Sequence, residues 1–234
     1  MSENIKKITK AFVVDLDSRE NQNILKPSAR PFNNQAHQVD EVVKKIYELI
    51  EDAKHSNDDT ILNHSEIKEA FFSPFKPQLK NAQVFLSHSH ADKNKALEVK
   101  NYLESKTNHR VRVFIDSLFW DYKDDVLNEL EKYDDTSKIK DAFTLILRES
   151  LQDMIEKCPY FVFLQSNNSV SCNQDLSCIT YSAWIYEELK IAHSIRESRP
   201  TPMMESWQVF HNISPFLESL ETITLSKLSH IINS

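Results

Sequence analysis

Hydrophobic positions along the 234-residue chain follow two rhythms, one helical and one strand-like. Between Gln38 and Ala53, Val39, Val42, Val43, Ile46, Tyr47 and Ile50 recur on one helical face, with Asp40, Glu41, Lys44, Lys45 and Glu48 opposite. That stripe predicts an amphipathic helix that must pack on something, most simply the domain that follows it. Gln83-Val84-Phe85-Leu86 reads instead as a short buried strand, after which the chain turns abruptly polar at Ser87-His88-Ser89-His90. A helical pattern resumes over Ala91–Ser105, with Ala96, Val99 and Leu103 inward. Val111–Asp116 alternates and is β-branched, which predicts a second strand. Ser137–Lys157 carries a long helical stripe, ended by Pro159, and Tyr160–Leu164 is a third strand too uniformly apolar for a sheet edge. Strand, helix, strand, helix, strand in this order implies parallel strands buried on both faces.

The flanks read less sharply. Residues 1–36 hold one apolar cluster, Ala11-Phe12-Val13-Val14, followed by polar residues broken by Pro27 and Pro31, and suggest a loosely packed arm. A short helix is expected around Ser65–Phe71, and Pro74 and Pro77 place a boundary near residue 79. The expected organisation is an N-terminal helical extension over 1–79 and an α/β domain over 80–234 with a mainly parallel, doubly wound sheet, flavodoxin-like in the broad sense. Ser117–Asp135 reads as a mixed connection and Gln165–Tyr181 as a Ser/Asn-rich loop, after which Ser182 is placed to cap a helix reaching about Arg196. Met203–Phe210 is a candidate fourth strand and Ser214–Ile232 a final amphipathic helix.

Composition narrows the chemistry. The chain has no glycine, against a usual share of about 7%. A phosphate-cradling P-loop, a GxGxxG dinucleotide turn and a GxSxG nucleophile elbow all need glycine, so each is excluded as written. A net charge of −7 without a basic stripe argues against a nucleic-acid partner. No apolar run reaches the roughly 18 residues of a membrane span, and the first residues lack a signal-peptide core, so a cytoplasmic, membrane-free protein is expected. Cys158, Cys172 and Cys178 form neither a zinc pattern nor an even disulfide framework, and are expected as buried or loose thiols.

Chemistry is expected where the first strand of the α/β domain ends, because ligands of open parallel sheets sit at the strands' carboxyl ends. One reading of His88-Ser-His90-Ala-Asp92-Lys93 is metallic. It resembles the HxHxDH signature of metallo-β-lactamase-type hydrolases, with Lys93 standing where that family has a second-metal histidine.

A second reading joins three stretches. VFLSHSHADK, RVFID with YFVFLQSNNSVS, and SAWIYEEL, in this order and spacing, resemble the first strand and turn, the second and third strands, and the WxxxE helix of Toll/interleukin-1 receptor (TIR) domains. The likeness spans roughly residues 82–197 and is nearest to bacterial stand-alone members. Many TIR domains cleave NAD⁺ to nicotinamide and linear or cyclic ADP-ribose, in immune, antiphage or cell-death signalling. By resemblance the essential glutamate falls on Glu188, and substrate-binding positions on Ser87, His88, Ser89, His90, Asp116, Trp120 and Trp184. NAD⁺ would be substrate, with no separate cofactor or metal, and the partners would be other TIR domains in self-assembly. The alternative within the same family is a non-catalytic scaffold. The chemistry suits one carboxylate. Nicotinamide leaves as a neutral molecule, and the developing oxocarbenium-like ribose needs negative charge beside it.

Overall fold

A computed structural model describes residues 10–25, 36–56, 63–72, 82–107, 110–115, 117–132, 137–172, 177–194 and 211–233. The chain forms two compact units, one from Met1–Ala29, Asn81–Asp116 and Leu151–Ser234, the other from Arg30–Lys80 and Ser117–Ser150.

The first unit is α/β. Its longer strands are β1 (Lys10–Asp15), β2 (Ala82–Ser87), β3 (Arg112–Ile115) and β4 (Tyr160–Gln165). Shorter ones are β5 (Ser171–Cys172), β6 (Cys178–Thr180), β7 (His211–Asn212) and β8 (Glu221–Thr222). Five of them make one sheet in the order β3-β2-β4-β1-β8, and every pairing in it is parallel. The other three form an antiparallel ribbon, β5-β6-β7.

The three strands expected from the apolar runs are present, and β2 and β4 are buried on both faces. Register sets Phe85 opposite both Phe114 and Phe161, and the Phe85 and Phe161 rings stack with centroids 5.9 Å apart. Cross-strand aromatic pairs of this kind stabilise a sheet beyond simple area burial.

The expected loose arm is corrected at Lys10–Asp15. This segment is an interior strand, paired with β4 on one side and β8 on the other. Ala11, Phe12, Val13 and Val14 are all buried. Four apolar residues in a row are what a strand covered on both faces requires, but so short a run carries no periodicity that could separate strand from arm. Sheet pairing therefore does not follow a division at residue 79.

Helices of this unit are α1 (Arg19–Ile24), α4 (Lys93–Lys106), α7 (Ala183–Ser194), α8 (Ser214–Glu218) and α9 (Leu225–Asn233). The single helix expected over Ser214–Ile232 is thus two, α8 and α9, separated by β8. Thr222 pairs with Val13, and the Ile223 N–H donates to the Val13 carbonyl at 2.9 Å, so the sheet captures the segment that would otherwise continue the helix. The proposed strand at Met203–Phe210 lies outside the described residues.

The second unit is helical. It comprises α2 (Ala36–Ser56), α3 (His64–Phe72), α5 (Ser117–Leu130) and the amino-terminal part of α6 (Ser137–Lys157), which the division crosses after Ser150. α2 packs on α5 and α3, so its apolar stripe meets its neighbour in sequence and also a helix from the 80–234 stretch expected to receive it. Phe71 and Phe143 meet edge to face at 5.3 Å. The segment expected as a mixed connection after the second strand is largely the regular helix α5.

Candidate functional site

The carboxyl ends of β2, β4 and β1 lie side by side, because these strands are successive neighbours in the sheet. Following the chain, β2 leads to β3 on one flank, and β4 then pairs with the other flank of β2. Strand order reverses there, and in open parallel sheets ligands sit at the carboxyl ends of the strands at such a reversal.

Three polar turns line this edge. After β2 come Ser87, His88 and Ser89, then a 3₁₀ turn over His90–Asp92. After β4, Ser166–Ser169 closes on itself, with the Ser166 N–H donating to Ser169 Oγ at 2.8 Å and the Val170 N–H to the Ser166 carbonyl at 3.0 Å. After β1, the Asp17 N–H donates to Asp15 Oδ1 at 2.9 Å. Side-chain oxygens of Ser and Asp close these turns in a chain that has no glycine to relax them.

The turns are tied together by Asp92. This residue occupies the N-cap position of α4, yet its carboxylate makes no capping bond. It accepts instead from Ser166 Oγ and from Asn168 Nδ2, the latter at 2.9 Å. Lys95 Nζ stands 3.8 Å from Asp92 Oδ1 and 3.3 Å from Asp17 Oδ1, and Asp17 Oδ2 accepts from the Asn167 N–H at 2.9 Å. A buried carboxylate needs such partners to offset its desolvation. The resemblance implies a substrate role for none of Asp17, Asp92, Lys95, Ser166 and Asn168. Their sequence signals are a Ser/Asn cluster that reads as an ordinary loop and an aspartate that reads as part of the metallic pattern.

Of the selected residues, Ser87 ends β2 and is fully buried, its Oγ having no hydrogen-bond partner among the described residues. His88 is buried, Ser89 half-buried and His90 exposed. Trp184, half-buried, and Glu188 are one helical turn apart on α7. Asp116 lies outside the described residues, as does the side chain of Trp120. α7 begins as expected, with Ser182 Oγ accepting from the Ile185 N–H at 3.3 Å. Glu188 and its neighbour Glu187 differ from expectation. They are 0% and 3% exposed, although two adjacent glutamates in a helix ordinarily face solvent. Glu187 pairs with Lys190 at 3.8 Å.

The metallic reading finds no geometry. Asp92 is committed to Ser166 and Asn168, and no group of three or more His, Cys, Asp or Glu among the described residues could hold a metal ion.

The ribbon supplies a feature the sequence did not suggest. Cys172 and Cys178, opposite each other on β5 and β6, form a disulfide, which corrects the expectation of loose thiols. Cys158 is the buried free thiol, and burial pushes it up to about 12.

No family model matches the chain, and neither curated proteins nor solved structures give a significant match. No helix among the described residues is long and apolar enough to cross a membrane.

Proposed function

We propose that the protein cleaves NAD⁺ at the bond between nicotinamide and ribose, with Glu188 as the catalytic carboxylate. The observation that carries the reading is the complete burial of Glu188, the last residue of Trp184-x-x-x-Glu188 on α7. Burying a carboxylate is costly, and such groups gather at functional sites. The sheet adds support. Numbered from β2, the succession β3-β2-β4 is the 2-1-3 order of flavodoxin-like sheets, and β1 and β8 stand where a fourth and fifth strand would stand. A TIR-like domain would then take its fourth strand from the chain's beginning.

Water adds to the ribose carbon as nicotinamide departs, giving nicotinamide, ADP-ribose and a proton. Glu188 offers negative charge to the ribose cation formed on the way. Because Glu188 is covered in this form, turnover requires a rearrangement that opens α7 to substrate, and self-assembly with other copies is the trigger in this proposal. A non-catalytic assembly module is the second reading. It is favoured by α5, which starts as a regular helix at Ser117 in the stretch that the sequence reads as a mixed connection.

The test is nicotinamide release from NAD⁺ by the full chain, dilute and at concentrations where it assembles. Release by wild type and none by Glu188→Gln supports cleavage. Equal assembly of both proteins with no release from either overturns it in favour of the scaffold.

A further inference from the structure

We propose that the Cys172–Cys178 bridge is a site of reversible thiol–disulfide exchange, at which small-molecule thiols unclamp the β5-β6-β7 ribbon that leads into α7. This does not rest on the NAD⁺ reading. Both residues of β5, Ser171 and Cys172, are exposed, so beyond its two-residue pairing with β6 the covalent bridge is what ties this strand to the ribbon. β6 is anchored far better. The Cys178 N–H donates to Ser214 Oγ at 2.6 Å, its carbonyl accepts from the Ile213 N–H at 2.9 Å, and Thr180 is buried. Thr180 Oγ1 in turn accepts from the N–H of Ser182, the residue that caps α7, at 3.2 Å. The bridge thus joins a weakly held strand to the well-held strand from which the Glu188 helix begins.

Accessibility sets the direction of attack. Cys172 is exposed and Cys178 only partly so. An external thiolate attacks Cys172 Sγ, the Cys172–Cys178 bond breaks, and Cys178 leaves as a thiolate that takes up a proton. A second thiol then attacks the mixed disulfide, releasing Cys172 and one external disulfide, so two thiols are oxidised as the bridge gains two electrons. Exposed bridges are the labile ones, and bridges in a reducing compartment are characteristically transient or redox-sensing. Cys158 takes no part, being buried and held as the neutral thiol.

The experiment uses the full chain, equilibrated in graded mixtures of reduced and oxidised glutathione and read by mass after alkylation, with hydrogen exchange followed in parallel. Native reduction should expose two alkylatable thiols. Amide exchange over Ser171–Cys172, Cys178–Thr180 and the first turn of α7 should accelerate by roughly one to two orders of magnitude, the effect of reopening a short cross-linked loop, while β2 and β4 stay protected. The double variant Cys172→Ser, Cys178→Ser should show the reduced pattern at every glutathione ratio. Failure of the bridge to form in oxidised glutathione, its persistence under native conditions in excess thiol, or unchanged exchange in reduced wild type would each overturn the proposal. The wild-type measurement decides even if the double variant fails to fold.

Discussion

Glu188 and Cys158 show how much one buried group can determine. Exchanging Glu188 for Gln keeps the side chain's size within its covered position and removes only its charge. On the proposed chemistry NAD⁺ turnover should fall by about 10²–10³ in kcat, the loss typical of one preorganised electrostatic group. Glu187 cannot serve as the neutral control, since it too is buried and pairs with Lys190. Glu218, exposed on α8, can, and Glu218→Gln should leave turnover unchanged in the same nicotinamide assay. Cys158 makes a prediction about pH. Burial raises its thiol from 9.0 to about 12, so between those values the unfolded chain ionises first and binds fewer protons than the folded one. Stability should hold below pH 9 and then decline by up to about 1.4 kcal/mol per pH unit through this group. Cys158→Ala lacks that component. Urea unfolding at pH 8 and pH 10 should find the stability gap between wild type and variant narrowing at the higher pH, and a constant gap would refute the assignment.

Between elements, long-range side-chain bonds do what local propensity does not. Asn21 of α1 donates to the Asp15 carbonyl at 2.7 Å and accepts from the Leu225 N–H at 2.9 Å, so a residue of the first helix caps the last one. On the edge strand β3, the Val113 N–H donates to Glu104 at 3.0 Å and the Val113 carbonyl accepts from Lys100 at 2.7 Å. The helix thereby occupies backbone groups that would otherwise invite pairing with another chain. Asp92 ties the turns at the carboxyl ends of the strands together. Asp92→Ala should cost about 2–4 kcal/mol, since it removes two hydrogen bonds to a buried charge, while Asp92→Asn should cost less because an amide can still accept one of them. Denaturant midpoints measure both, and equal midpoints for Asp92→Ala and wild type would show the network to be idle.

For the whole molecule, the decisive element is β1. Its four buried residues, Ala11, Phe12, Val13 and Val14, sit between β4 and β8. At about 1.5–3 kcal/mol for each of the three larger side chains, their loss is comparable to the roughly 5–15 kcal/mol that holds a domain folded. A chain beginning at residue 80 should therefore fail to unfold cooperatively in circular dichroism. A cooperative transition from that fragment would show that β1 is dispensable.

Sequence alone determined the elements whose apolar pattern is long or continuous. These are β2, β3 and β4, the helices over Lys93–Lys106 and Ser137–Lys157, the Ser182 cap, and the parallel sense of the strands that those helices connect. Periodicity is a local property, so it survives in a linear reading. What only the tertiary structure decided is where short or polar segments go. Ala11–Val14 became an interior strand because β4 and β8 offered it two edges, and Glu221–Thr222 became a strand because Val13 captured it. Asp92 became a tie between turns because Ser166 and Asn168 reached it across more than seventy residues of chain. Cys172 met Cys178 because hairpin register set them opposite, and Glu188 became buried through the surroundings of α7 rather than its own helical pattern. Each outcome depends on which residues meet in space, and spacing along the chain does not encode that.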